Sequence, residues 1–472
     1  MKIIGSIEEL ILNLKQYNNN EDDISFVKKA YYFAEKKHKN QFRLSGEKYI
    51  IHPLNVAEII VELKLSVNLV CAALLHDTLE DCDVTEEEIE NKFGKDILYL
   101  VKGMTKMNLS KTSNKDAENF KKILLSIVED IRIIVLKLAD RLHNMNTMEF
   151  MPLHKQFQKS TQTMEVFVKT AKMLGMYRIK CELEDLCFLY LEKNEYEKIS
   201  FLKQKFITEN KAKIDRTVKD IKKLTNLEVQ CSYLNNYGIY KKLNSGYTID
   251  SIIDLVSIKI LALNKMDCYK ILGIVHSKYS HMTNKIKDYI SIPKLNGFSS
   301  ILTTIFGKDR LTYNIQICTK KMDNINVHGV IYELKTKPLE ELTTYIKKNY
   351  NLIENIDMLS DNSKEAIEFV DDVKTELFSK NVYVYTFSGD IIKLKAGSTI
   401  LDFAFEINEN LGFYFDRAVV NFSRVDVTYK PQNRDIIKIF VKEKLNDKLF
   451  LIENVETKKA INIIKNKVDL NI

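Results

Sequence analysis

Three short stretches in the first third of the chain put ionisable residues where the surrounding pattern is apolar. His52 stands before Pro53 in RLSGEKYIIHPLNVA. LLHDTLED carries His76, Asp77, Glu80 and Asp81, and LADRLHNMNT carries Asp140, His143, Asn144 and Thr147. Residues four apart share a helical face, which pairs His76 with Glu80 and Asp77 with Asp81; Asp140, Asn144 and Thr147 make a second stripe. Two neutral imidazoles and two carboxylates can hold a divalent ion with positions left open, and mixed nitrogen and oxygen ligation suits Mn, Fe or Zn. Such an ion lowers the pKa of water in an open position toward ~7. Glu80 and Asp81, one turn past His76 and Asp77, are placed to orient or deprotonate that water. A lone His-Asp pair is more often a surface pair. Burying this many ionisable groups unpaired would be costly for each, so their joint occurrence favours a metal site. His38, His143, His154, His276, His281 and His328 read as surface or packing residues, with a place supporting the ligands the alternative for His143.

Helices must position these groups. Apolar periodicity predicts helices near 24–40, 53–63, 66–79, 85–102, 116–147 and 160–192. The segment ILLSIVEDIRIIVLKLADRL is apolar nearly all round, the mark of a helix buried in a bundle. From about residue 225 the texture becomes α+β: SIKILAL (257–263), LTYNIQIC (311–318) and HGVIYEL (328–334) read as strands. Residues 339–380 return to helix, interrupted at LSDNSKE. VYVYTFSGDIIKLK then reads as a hairpin, and with AVVNF and IIKIF it makes a β-grasp-like module, followed by an amphipathic helix at 453–467. At 472 residues the chain is too long for one core.

Composition narrows the class. With 45% hydrophobic and 29% charged residues the chain reads as an ordinary folded protein. Its seven cysteines are scattered without a CxxC pair, which fits a reducing cytosol and argues against a disulfide framework or zinc ribbon. No apolar run approaches the ~20 residues of a membrane helix, so no membrane contact is expected. The start, MKIIGSIEELILNLKQ, carries acidic residues inside its apolar stretch and does not read as a signal peptide. A cytoplasmic location is expected. The net charge of +7 is spread along the chain and marks no nucleic-acid face.

At these residues the chain resembles the RelA/SpoT homologue family, which makes and destroys the alarmones ppGpp and pppGpp. The matching strings run in family order: FRLSGEKYIIHPLNVA, AALLHDTLED, VKGMTKM, DAENFKKILL, IVLKLADRLHNMNTM, LGMYRIKCELEDLCFLYL, VKTELFSKNVYVYTFSGD and LKAGSTILDFA. The resemblance implies an all-α HD hydrolase domain over 1–195 and a nucleotidyltransferase-like α+β synthetase domain over 196–338. A helical connector over 339–380, a TGS β-grasp module over 381–441 and a helical tail over 442–472 follow. It places Mn²⁺ on His52, His76, Asp77 and Asp140, the water-activating acids on Glu80 and Asp81, and nucleotide contacts on Arg43, Asn144 and Thr147. A planar guanidinium at Arg43 suits stacking on guanine or clasping phosphate.

The chain departs from the family elsewhere. Leu44 replaces the basic residue after Arg43, and Lys155-Gln156-Phe157-Gln158 keeps one cation of a basic cluster. In the synthetase half Asp254 keeps the magnesium aspartate, but Asn314 and Cys318 replace a glutamate and an arginine. Leu234–Gly238 lacks the family's arginine segment, and Gly297–Thr303 departs from its loop. Phosphoryl transfer needs metal ligands and cationic clamps, so synthesis is expected to be absent. In the TGS segment Asn408 and Phe413 stand where the family has histidines, which argues against contact with a ribosome and tRNA end; a protein partner or simple packing remains open there. The expected activity is Mn²⁺-dependent removal of the 3′-pyrophosphate of (p)ppGpp, giving GDP or GTP and controlling alarmone level in the stringent response. The alternatives are the same chemistry on another 3′-phosphorylated nucleotide, such as an adenosine alarmone, and a mainly regulatory nucleotide- or partner-binding protein.

Overall fold

A computed structural model of the chain describes residues 3–106, 130–338, 341–342 and 381–468, apart from 295, 309, 310, 389, 433 and 434. The chain divides into two compact units, Met1–Val370 and Asp371–Ile472. Apart from 341–342, the predicted connector at 339–380 lies outside the described residues, as do DAENFKKILL and the first half of the predicted helix 116–147.

The first unit opens with helices α1 (Ile7–Leu14), α2 (Glu21–Lys37), α3 (Ile51–Glu62), α4 (Val67–Leu75), α5 (Thr78–Asp81), α6 (Glu86–Phe93), α7 (Lys95–Lys106) and α8 (Ile131–Asn146). Ser6, Asn20, Thr85 and Asp130 cap α1, α2, α6 and α8, each side chain accepting from an otherwise orphaned backbone N–H. The middle of the bundle is buried on every side: α3 is buried from His52 to Val61 and α4 from Leu69 to Leu75. The site residues hang on α3, on the end of α4 and on α8.

Helix boundaries differ from the sequence expectation; the helix predicted at 160–192, for one, is broken between Met173 and Tyr177, where Gly175 has φ 69°. The helix predicted at 66–79 ends at Leu75, and Asp77 is the N-cap of the separate turn α5. Side chains compete for the last carbonyls there: His76 Nδ1 donates to Ala73 O at 2.8 Å and Thr78 Oγ1 to Leu75 O at 2.7 Å. The helix predicted at 85–102 splits at Gly94, whose φ of 89° no L side chain adopts easily. Asp130 is extended and starts α8 afresh.

Further along the first unit, β1 (Glu228–Tyr233), β2 (Val256–Ala262), β3 (Lys287–Asp288), β4 (Ile301–Phe306) and β5 (Thr312–Thr319) form a mixed sheet in the order β1-β2-β5-β4-β3. β2 and β5 are parallel; the other neighbours are antiparallel. The 33-residue helix Lys193–Thr225 contributes Phe206, Ile214 and Ile221 to the sheet's core, beside Ile258, Ile260, Ile315 and Ile317. HGVIYEL is not a strand: Val330–Thr336 is helical. A short apolar run does not distinguish the two states. Here Gly329, at φ 56°, packs its backbone on Leu174 and Gly175 so closely that a Cβ would lie 2.1 Å from Leu174 O, and Val330 N donates to that same carbonyl.

The second unit is a five-stranded sheet ordered β7-β6-β10-β8-β9, comprising β6 (Asn381–Thr386), β7 (Ile391–Lys395), β8 (Phe415–Val420), β9 (Ser423–Val425) and β10 (Ile436–Val441). Its core also takes Leu451, Val455, Ala460 and Ile464, so the expected tail folds onto the module. Buried Asp402 fixes that return by accepting from Glu456 N, Thr457 N and Thr457 Oγ1.

Candidate metal centre

α3, the α4–α5 break and α8 bring His52, His76, Asp77 and Asp140 together. His52 Nε2 is 3.2 Å from Asp140 Oδ1 and 3.6 Å from Asp77 Oδ2; His76 Nε2 is 3.1 Å from Asp77 Oδ2 and 3.9 Å from Asp140 Oδ1. Among the described residues, His52, His76 and Asp140 are the group whose donor atoms all lie within 4.8 Å of one another. Both imidazoles are nearly inaccessible, at 2% and 4% exposed.

The donors fit a divalent ion. His76 Nδ1 is committed to Ala73 O, which fixes the tautomer and leaves the Nε2 lone pair facing the carboxylates. Nε2 faces Asp77 Oδ2 and is the ring position that an added proton or a cation would occupy. Burial pushes His76 down, but Asp77 and Asp140 outweigh it and hold the ring at about 9. His52 is shifted down, chiefly by burial. For Asp77 and Asp140 burial raises the pKa, yet the adjoining histidines prevail and hold both well below the usual carboxylate range. Without an ion, the cluster therefore carries a proton at His76 between two carboxylates, a place that a cation can take.

A polar wall adjoins the cluster. Asn144 Nδ2 donates to Asp140 Oδ1 at 2.6 Å, while Arg43 Nη2 lies 3.1 Å from Asn144 Oδ1 and 3.4 Å from Thr147 Oγ1. Arg43 reaches across from a tight loop closed by Arg43 N to Glu47 O, with Gly46 at φ 85°. Leu44 and Phe157, at the departures from the family's basic residues, are exposed. Glu80 and Asp81 lie on the exposed turn α5.

Two residues of the site were not assigned to it from the sequence. His143, read as surface or packing with a supporting place as the alternative, is buried, and its Nδ1 lies 2.8 Å from His52 Nδ1, so one ring donates to the other. Burial pushes His143 down to about 2, helped by His52 and Arg43, so it stays neutral. Tyr49 places its hydroxyl 2.9 Å from Asp77 Oδ2 and 3.1 Å from Asp81 Oδ2. Burial, then Asp77 and Asp81, push this phenol up, so it stays protonated. Three-residue spacing on one helix was the available signal for Asp140 and His143; Tyr49, in the turn before α3, had none.

The second domain of this unit treats its acids differently. Asp254 Oδ1 is 2.8 Å from Lys242 Nζ, and Asp323 Oδ1 is close to Lys259 Nζ at 2.6 Å. Asn314 sits beside Ser257 in the β2–β5 register and donates to its hydroxyl at 3.1 Å. Cys318 is fully buried. Asn235 is turned toward the helix Tyr177–Leu191, donating to Asp185 Oδ1 at 2.9 Å. In the second unit Asn408 caps the helix Glu409–Phe413 and Phe413 is buried in the core.

Family models match an HD domain at residues 30–177, the region found in RelA/SpoT proteins at 234–340 and a TGS domain at 382–441. A "GTP pyrophosphokinase" of Myxococcus xanthus is 34% identical over 456 residues, covering 93% of this chain and 60% of the relative. A "probable guanosine-3′,5′-bis(diphosphate) 3′-pyrophosphohydrolase" of Synechocystis sp. is 35% identical over 448 residues (92% and 59%). A Spiroplasma citri protein named as that pyrophosphohydrolase is 33% identical over 488 residues (97% and 65%). The chain thus spans about three fifths of the length of the curated relatives it matches. No helix among the described residues is long and apolar enough to cross a membrane. With its HD, RelA/SpoT and TGS regions in family order and homologues matching over most of its length, the chain belongs to the RelA/SpoT homologue family.

Proposed function

We propose that this chain removes the 3′-pyrophosphate of (p)ppGpp, yielding GDP or GTP and pyrophosphate, with Mn²⁺ held by His52, His76, Asp77 and Asp140, and that it does not synthesise the alarmone. The relatives' names divide between a pyrophosphokinase and pyrophosphohydrolases, so names alone do not choose. The observation that carries the choice is the buried histidine–carboxylate cluster joined to the Arg43–Asn144–Thr147 wall.

Arg43, Asn144 and Thr147 hold the nucleotide, the guanidinium stacking on the base or clasping phosphate. A bound divalent ion supplies acidification of water and neutralises charge on the diphosphate. Glu80 and Asp81 orient that water and take its proton. The water oxygen joins the phosphorus bonded to the 3′ oxygen, that P–O bond breaks, and the 3′ oxygen is protonated. His143 stays neutral against His52 and fixes its orientation. In the synthetase-like domain Lys242 neutralises the one retained aspartate, and Asn314 offers no anionic ligand, which supports the reading that this half is silent.

The test is direct. Chelator-stripped protein given Mn²⁺ and ppGpp should release GDP and pyrophosphate, and the stripped protein alone should not. Absence of turnover with Mn²⁺ rejects the reading. Exposed Leu44 beside Arg43 favours one second reading, the same chemistry on a different 3′-phosphorylated nucleotide. A panel including adenosine alarmones separates the two.

A further inference from the structure

The hydroxyl of Tyr49 faces Asp77 Oδ2 at 2.9 Å and Asp81 Oδ2 at 3.1 Å, and a phenol has one proton to donate. We propose that Tyr49 is a positioning residue that holds Asp81 at the metal cluster through both of its protonation states. This rests on the hydrolase reading, in which Asp81 receives a proton from water.

The ring is fixed independently of its hydroxyl. It stacks on His38 with centroids 4.8 Å apart and 23° between planes, and meets His52 edge-on at 6.0 Å. His38 is itself buried and its Nδ1 is 2.6 Å from Gln41 Oε1. The hydroxyl is therefore aimed by a packed ring rather than by a loose one. Asp81, by contrast, lies at the exposed end of a four-residue turn, where little else holds a carboxylate in one rotamer. While both carboxylates are ionised, the phenol proton is shared between them. Once Asp81 has taken a proton, it donates to the phenol oxygen and the phenol donates to Asp77. No proton leaves the tyrosine: the O–H turns, and Asp81 keeps one partner throughout. Asp77 is meanwhile relieved of competition for that donor.

Tyr49→Phe removes the hydroxyl and keeps the ring contacts. Metal content and KM for ppGpp should stay within about twofold, and kcat should fall roughly tenfold, as expected when an interaction made in the transition state is lost. The deciding measurement is the double-mutant cycle with Asp81→Asn. In the Asp81→Asn background, adding Tyr49→Phe should cost less than about twofold, because the residue it positions is already disabled. Equal losses in both backgrounds would mean a general structural role and overturn the proposal, as would loss of metal in Tyr49→Phe or an unchanged kcat. If Asp81→Asn alone turns over normally, the assignment of Asp81 fails and takes this proposal with it. If the unaltered protein does not hydrolyse ppGpp, the hydrolase reading itself fails, so the failures are separable.

Discussion

The first two domains both carry acids at positions where the family resemblance expects metal, yet they resolve the charge in opposite ways. In the HD domain two carboxylates converge on the Nε2 atoms of two buried histidines. In the synthetase-like domain Asp254, the acid that the resemblance assigns to magnesium, meets Lys242 Nζ at 2.8 Å. A histidine can lose its proton and become a ligand, whereas a lysine at an ion pair stays a cation. On the proposed function, a retained acid serves a metal where its neighbours can give up their protons.

The largest effect should come from the HD side of that contrast. Asp77→Ala should empty the cluster and reduce ppGpp hydrolysis to background with helix content unchanged by circular dichroism; near-full turnover would break the contrast at its root. Replacing Glu80 and Asp81 together by Gln and Asn should leave metal content intact and lower turnover by ~10²-fold, the scale of a lost general base. Loss of metal from that double variant would turn these acids into ligands.

Proton linkage gives a smaller, graded effect. His76 is held up at about 9 by Asp77 and Asp140, so below that pH an entering ion must expel its proton. Metal affinity should then weaken as pH falls, about tenfold per unit if one proton is exchanged. Calorimetry at pH ~7.5 in buffers of different ionisation enthalpy should show about one proton released; none released would contradict the geometry. The same ring contributes stability to the metal-free fold below its unfolded pKa, and that contribution is lost as pH rises through about 9.

The smallest effect belongs to the synthetase-like domain. Asp254→Asn should change hydrolysis by less than about twofold, within the usual range for a substitution remote from the chemistry. With hydrolysis silenced by Asp77→Ala, incubation with ATP, GDP and Mg²⁺ should yield no ppGpp, and Asn314→Glu should not restore it. Product from the silenced parent would erase the difference between the two domains.

The site was legible in sequence because its chemistry is written in residue types that an apolar bundle does not tolerate idly. His52, His76, Asp77 and Asp140 were singled out this way, and the Nε2 of each histidine lies within 4 Å of an oxygen of both aspartates. Arg43, Asn144 and Thr147 were placed by family resemblance, and they meet through hydrogen bonds across about a hundred residues. Tyr49 was not legible as a partner, because it lies in the turn before α3, and His143 was legible only as an alternative, because a histidine on a partly apolar helix face packs as readily as it bonds.

What the sequence determined by itself was the inventory: which segments are helical, which change to α+β texture, and which polar residues require a reason. Periodicity is a local property, so it survives without knowledge of the fold. Tertiary structure decided everything that depends on a neighbour distant in the chain. It made HGVIYEL a helix by pressing Gly329 against Leu174, and ended α4 at Leu75 where His76 and Thr78 take its carbonyls. It also turned one tyrosine hydroxyl toward two carboxylates, and set a lysine against Asp254 but histidines against Asp140. Such pairings are set by which surfaces pack together, and burial then gives each pairing its electrostatic weight.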